Sequence, residues 1–121
     1  MGRSVLVVDD DATLRTLLTA VFSGAGLRVL SAADGLEALD ILDGDSVDIV
    51  VTDGQMPGMD GAQLVAALRA RPDTAEIPVL LCTGSCLGDV VATAETAGVT
   101  RVLPKPMRPK ELLAAVLPYV S

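Results

Sequence analysis

The sequence predicts an α/β domain, a parallel sheet of five strands joined by helical crossovers. Three observations carry that prediction. Short aliphatic runs recur at 4–8, 27–31, 47–52, 77–82 and 100–103, each of strand length and bounded by turn residues. Between them lie segments whose apolar residues are spaced three and four apart, as on one face of a helix. Half of the residues are apolar and nearly all of these are aliphatic, Phe22 and Tyr119 being the only aromatics. That composition suits buried parallel strands covered by helices. Strands alternating with helices of about three turns imply right-handed crossovers within one sheet.

Taken in order, the first strand runs Ser4-Val5-Leu6-Val7-Val8 into Asp9-Asp10-Asp11. The first helix presents Leu14, Leu17, Leu18, Val21 and Phe22 on one face and ends at Gly24 and Gly26. After the second strand, Leu36, Leu39 and Leu42 form a second helical face that ends at Gly44. The third strand, Asp48-Ile49-Val50-Val51-Thr52, has no polar alternation and is expected to be central. Proline and glycine residues fix a loop after Asp53, and Asp60 reads as the N-cap of a third helix carrying Leu64 and Leu68, stopped by Pro72. A weaker fourth helix, with Val90, Val91, Ala94 and Ala97, closes at Gly98. Pro109 suits the first turn of the last helix, whose apolar face is Leu112, Leu113, Val116 and Leu117. There is no repeat and no interior linker. The 121 residues are expected to form one domain, 1–121, that begins just before its first strand and stops just after its last helix. At this length roughly two-thirds of the unfolded surface is buried, enough for a core without staples.

Sixteen acidic residues face nine basic ones, a formal net charge of −7, which makes direct binding to nucleic acid or an anionic membrane surface unfavourable. No apolar run approaches the length of a membrane span. Two cysteines and no secretory apolar segment point to a reduced, cytoplasmic setting. Cys82 reads as a core residue and Cys86 as a small residue at a helix start, neither with metal or redox spacing. Histidine is absent, which removes histidine-based catalysis and most zinc or copper sites. Any metal here is expected to be hard and oxygen-liganded.

The residues that carry chemistry share one placement. Asp9 and Asp10, Asp53, Thr83 and Lys105 each follow an aliphatic run directly. In a parallel sheet all of these positions fall on the carboxyl edge, where ligands bind. Asp9, Asp10 and Asp53 converge there if the first and third strands are neighbours. Three carboxylates at close range stay ionised only beside a cation. Mg²⁺ fits, taking one or two carboxylates, a carbonyl and waters while leaving room for phosphate. An aspartate beside such an ion can attack phosphorus and form an acyl phosphate. Transfer then depends on alignment and on neutralising the equatorial oxygens, for which Thr83 offers a hydroxyl and Lys105 an ammonium. Lys105 is one of two lysines against seven arginines and lies between Pro104 and Pro106, and a loop proline such as Pro106 is the usual setting for a cis peptide. Each residue also has an ordinary structural use, as helix cap, turn aspartate, strand threonine or solvated lysine, and Asp11 suits capping best. Those uses do not explain the collection of all of them at one edge.

Together these residues resemble the response-regulator receiver domain of two-component signalling, over essentially the whole chain. The likeness rests on Asp9-Asp10 after the first strand, Asp53 with Met56-Pro57-Gly58-Met59-Asp60-Gly61 behind it, Thr83-Gly84, and Lys105-Pro106. It implies a doubly wound five-stranded sheet of flavodoxin-like order 2-1-3-4-5 with five helices. It also implies that Asp53 is the phosphoacceptor, taking a phosphoryl group from a phosphohistidine on a histidine kinase or phosphotransfer protein. Asp10 and Asp53 would be direct Mg²⁺ ligands, with the Gln55 backbone carbonyl as a third and Asp9 acting through water. Thr83 matches the switch hydroxyl and Lys105 the phosphate-pairing cation, while Gln55 and Ser85 flank the site and bear on phosphoryl lifetime. Such a domain catalyses its own phosphorylation and dephosphorylation without being a metabolic enzyme. Two departures stand out. Val102 occupies the position where family members often carry an aromatic residue. The last strand and helix also lack the charged pattern of DNA-binding regulators that dimerise there. Leu81-Cys82-Thr83-Gly84 with Ala97-Gly98-Val99 looks more like the receivers of hybrid sensor kinases or stand-alone receivers. The implied state is a monomer or weak dimer that serves a downstream protein or a covalently linked kinase or output domain.

Three rival readings make distinct structural demands. A haloacid-dehalogenase-type phosphatase would use Asp9-Asp10-Asp11-Ala12-Thr13 with Asp9 as nucleophile and Asp11 as acid/base. A flavin module would need a phosphate loop at Thr83-Gly84-Ser85 and walls for the ring. A non-phosphorylated scaffold would use the fold alone.

Overall fold

The computed structural model describes residues 3–84 and 88–120. Five strands and five helices alternate among them: β1 (Ser4–Val8), α1 (Ala12–Gly24), β2 (Arg28–Ala32), α2 (Gly35–Gly44), β3 (Ile49–Asp53), α3 (Gly61–Arg69), β4 (Val79–Thr83), α4 (Gly88–Ala97), β5 (Arg101–Pro104) and α5 (Pro109–Val120). The strands pair in parallel in the order β2-β1-β3-β4-β5, the order that the resemblance implies. β3 is central, as its unbroken apolar run requires. The expected strands begin up to two residues early, and local chemistry explains the difference. The Asp48 side chain accepts from Ser4 N–H at 2.8 Å, and Pro78 accepts from Val50 N–H at 2.9 Å but has no N–H to return.

Side chains of successive strand residues point to opposite faces, and that alternation divides the core into two layers. Leu6, Val8, Val50, Val79 and Leu81 pack with Ala38 and Leu42 of α2, Leu64, Val65 and Leu68 of α3, and Ala94 of α4. Val5, Val7, Ile49, Val51, Leu80 and Cys82 pack on the other face with Leu18 and Phe22 of α1 and Leu112, Val116 and Val120 of α5. The sheet is thus buried on both sides, and the two layers share only the backbone between them. Ser85, Cys86 and the side chain of Val90 lie outside the described residues.

The helix ends follow the local chemistry. Asp11 caps α1 by accepting from Thr13 and Leu14 N–H, Asp34 caps α2, and Asp60 forms a reciprocal capping box with Gln63 at α3. At the end of α1 the Gly26 N–H bonds Ser23 O and the Leu27 N–H bonds Phe22 O. This closure places Gly26 at φ +87°, a conformation that glycine adopts without a Cβ clash. On the amino edge of the sheet, Arg69 ties α3 to two loops, donating from Nε to Gly98 O at 3.0 Å and from Nη1 to Ile77 O at 2.6 Å. Pro118 sits in the last turn of α5, where its missing N–H costs a single helical bond. Among the described residues no helix is long and apolar enough to cross a membrane.

Phe22 is fully buried and is the only phenylalanine in the chain, so the layer beneath α1 and α5 is built around one ring. Phe22→Ala is expected to destabilise the fold by about 3–5 kcal/mol, read as a lower urea midpoint at unchanged slope.

Candidate functional site

Because all five strands are parallel, every βα loop emerges at the same edge. The chain reverses direction across the sheet at β1 and β3, which pair directly from Val5↔Ile49 to Val8↔Thr52. The loops that leave these two strands therefore diverge to opposite sides and open a crevice between them. Asp9 and Asp10 follow β1, and Asp53 is the last residue of β3. One carboxylate oxygen from each of the three lies within 4.8 Å of the others. β4 and β5 complete the edge. Their register pairs Thr83 with Pro104, and Lys105 N–H donates to Thr83 O at 2.9 Å. That pairing delivers the Lys105 side chain toward the crevice. Its Nζ lies 3.2 Å from Asp53 Oδ1 and 3.4 Å from Asp9 Oδ2. The Lys105–Pro106 peptide is cis.

Asp9 is the most enclosed member, 5% exposed. Its N–H continues the ladder to Ala32 O, its Oδ1 accepts from Asp11 N–H at 2.9 Å, and its Oδ2 faces Lys105. Burial raises its pKa above the ordinary carboxylate value, opposed by the Asp11 amide and Lys105 and reinforced by Asp53. Lys105 shows the complementary shift. Burial works against its charge, but attraction from Asp53 and Asp9 outweighs that and holds its pKa above normal. Asp10 is exposed at the mouth of the cluster. Asp53 Oδ1 also accepts from Gln55 N–H at 3.2 Å. Thr83 is buried, and a Cβ on Gly54 would come within 3.3 Å of its hydroxyl oxygen, which puts that side chain against the residue after Asp53. All six sequence-designated residues (Asp9, Asp10, Asp53, Gln55, Thr83 and Lys105) thus lie around one crevice.

The donor set suits a hard divalent cation. Three carboxylates supply oxygen alone, and one lysine cannot neutralise all of them. An ion held by Asp10 and Asp53 would relieve the burial cost at Asp9 as well.

Two contacts at this edge were not read from the sequence. Arg15 of α1 reaches back to donate from Nη1 to Asp9 O at 2.6 Å. It is the only charged residue between Ala12 and Gly24, and that isolation on an otherwise uncharged helix is the signal that was available. Gly61 opens α3 directly against β3: a Cβ there would clash with Asp53 O, so only glycine lets the helix start this close to Asp53.

The geometry also disposes of one rival. Asp11 turns away from the crevice to cap α1, so it is not placed as the acid/base of a dehalogenase-type phosphatase.

The sequence model of the response regulator receiver domain matches residues 5–117. The chain belongs to that family. The receiver is 30% identical to sporulation initiation phosphotransferase F of Bacillus subtilis, over 99% of this chain and 95% of that protein. It is 37% identical to the cyclic di-GMP phosphodiesterase response regulator RpfG of Xanthomonas campestris, covering 94% of this chain. It spans about a third of the length of RpfG and of the Escherichia coli regulator of RpoS, 31% and 32% respectively. Among solved structures, chemotaxis protein CheY4 of Vibrio cholerae superposes with a TM-score of 0.92 at 30% identity, covering 99% of this chain and all of that one. The receiver domain of a Pseudomonas aeruginosa sensor histidine kinase, solved with a magnesium ion coordinated in its active-site cleft, gives 0.87 at 25% identity, over 98% of each chain.

Cys82 lies at the base of this receiver's crevice. Burial pushes its thiol up to about 11, with Lys105 opposing and the two carboxylates reinforcing. Below about pH 9 the thiol is protonated in both folded and unfolded chains, so it contributes no pH dependence. Between about 9 and 11 the unfolded chain releases a proton that the folded one keeps, so stability falls as pH rises through that window. In a Cys86→Ser background, native Cys82 should resist iodoacetamide at pH 8 and react fully in urea. Rapid native alkylation would contradict the buried, neutral thiol.

Proposed function

We propose that this receiver accepts a phosphoryl group on Asp53 from a phosphohistidine of a histidine kinase or phosphotransfer protein, in the cytoplasm. The carrying observation is the single ammonium, Lys105 Nζ, set between Asp53 and Asp9 beside Asp10. That arrangement holds an anionic nucleophile and a cation that can follow negative charge when it arrives on phosphate. Asp10, Asp53 and the Gln55 carbonyl would hold Mg²⁺ directly, with Asp9 acting through water. The magnesium ion coordinated in the active-site cleft of the Pseudomonas aeruginosa neighbour supports a magnesium ion in this crevice. When bound, the ion would neutralise charge on the phosphoryl oxygens.

The remaining chemistry belongs to the side chains. A carboxylate oxygen of Asp53 attacks phosphorus in line, and the P–N bond to the donor imidazole breaks. The imidazole keeps the electron pair and takes up a proton. The product is an acyl phosphate, which water later cleaves to regenerate the carboxylate and inorganic phosphate. Lys105 moves its pairing from the Asp53 carboxylate to a phosphoryl oxygen, and the Thr83 hydroxyl donates to another. Charge added beside Thr83 then biases the surface that a partner reads. Val102, half-buried against the α2–α4 layer, offers no ring to rotate, so the relay from Thr83 runs through another element. The partner surface would serve a downstream protein or an attached kinase or output domain, with the receiver itself a monomer or weak dimer.

Incubation with acetyl phosphate and Mg²⁺ should add one phosphoryl group to the wild type by intact-mass spectrometry, and none to a folded Asp53→Asn variant. A label that persists on that variant would overturn the assignment. A wild type that gains nothing from acetyl phosphate or from a phosphohistidine donor would favour the scaffold reading. Lys105→Ala is expected to keep Mg²⁺ binding, since it removes only a competing cation, while phosphorylation no longer changes partner affinity. An unaltered partner response would remove Lys105 from the switch.

A further inference from the structure

The carboxylates of the cluster are oriented by different means. Asp9 is fixed at every polar atom: its N–H bonds Ala32 O, its Oδ1 takes the Asp11 amide and its Oδ2 faces Lys105. Asp53 sits within the β3 ladder, opposite Cys82. Asp10 differs from both, lying exposed as the single residue between Asp9 and the Asp11 cap. The direction in which its carboxylate leaves the chain is set mainly by the peptide plane that joins it to Asp9. The oxygen of that peptide is the Asp9 carbonyl, and Arg15 Nη1 donates to it at 2.6 Å, a bond strengthened by the charge on its donor. Arg15 is itself anchored, because its N–H makes the first intrahelical bond of α1, to Asp11 O at 3.0 Å, and its side chain is half-buried.

We propose that Arg15 is a positioning residue for the cation site: by clamping the Asp9–Asp10 peptide it fixes the Asp10 carboxylate at the mouth of the crevice. The inference rests on the reading of Asp10 as a direct ligand. The Asp9 carbonyl follows the last residue of β1 at a sheet edge where water can compete for it. Without the guanidinium, that peptide keeps only the restraints on either side of it, the Asp9 N–H on Ala32 O and the Asp11 N–H on Asp9 Oδ1, and can tilt between them, so that Asp10 samples directions that miss the ion. Residues that orient a metal ligand typically contribute 10–100-fold to metal affinity. The rest of the fold does not depend on this contact, since the α1 cap is made by Asp11 and the core face of α1 by Leu18 and Phe22.

Mg²⁺ affinity of the intact chain by isothermal titration, paired with urea unfolding in metal-free buffer, tests this for wild type, Arg15→Ala and Arg15→Lys. The expected result is about 10-fold weaker Mg²⁺ binding for Arg15→Ala, on the order of an outer-shell loss, with a nearly unchanged metal-free midpoint. Arg15→Lys, which restores a donor cation, should recover most of the affinity. Wild-type affinity in Arg15→Ala would overturn the proposal. So would a Lys variant as weak as the Ala variant, or an affinity loss matched by a large fall in the metal-free midpoint. A wild type that binds no Mg²⁺ would overturn the receiver-site reading and this inference with it. Mg²⁺ binding by wild type with equal binding by Arg15→Ala would remove the inference alone.

Discussion

Keeping like charges together is the constraint on which the carboxyl edge of this sheet depends. Asp9, Asp10 and Asp53 bring three carboxylates within 4.8 Å of one another, one of them almost wholly out of water. Left alone, such a cluster would protonate or separate. The fold opposes both outcomes through backbone as much as through side chains. Lys105 supplies one full charge, the Asp11 and Gln55 amides supply two more donors, and the β1–β3 ladder prevents the strands from parting. α1 and α3 also begin at this edge, so the positive ends of their peptide dipoles face it. The carboxylates of the aspartates that cap these helices, Asp11 and Asp60, are held by helix amides and take no part in the cluster.

Much of this was legible because the parallel sheet writes itself into sequence as unbroken aliphatic runs. Val5 to Val8 and Ile49 to Thr52 are buried on both faces, so no polar alternation interrupts them, and the chemistry begins where each run stops. Capping was legible for the same local reason: Asp11 and Asp60 precede helical apolar patterns. The strand order came from family resemblance, since nothing in a strand's own residues says which neighbour it will choose. Arg15 and Gly61 were hidden for a different reason. One acts on the carbonyl of Asp9 and the other makes room for the carbonyl of Asp53, and side-chain patterns do not report on backbone oxygens. The early strand starts at 47 and 77 have a similar source, since an apolar residue beside Asp48 or Pro78 reads as strand until its hydrogen bonds are counted.

The two-layer core has its own bearing on the site. Asp9 and Asp53 sit at the ends of strands whose alternate residues serve both layers, whereas Lys105 arrives on a strand that pairs only with β4 among the described residues. Val102 of that strand contributes to the α2–α4 layer and Leu103 to the α1–α5 layer. A short edge strand with one buried residue therefore carries the only cation that, among the described residues, bridges Asp9 and Asp53.

That placement joins two equilibria usually treated apart. Edge strands open more readily than central ones, at a free energy well below that of global unfolding. When β5 opens, the Lys105 N–H leaves Thr83 O and its ammonium leaves the crevice in the same event. The ion pair it breaks joins residues 96 positions apart. Fraying of the last strand would thus also remove neutralisation at the first. Amide exchange at β5 would therefore report the electrostatic balance of an acidic cluster at the other end of the chain, and a cation that steadied the carboxylates would loosen the strand that had been steadying them.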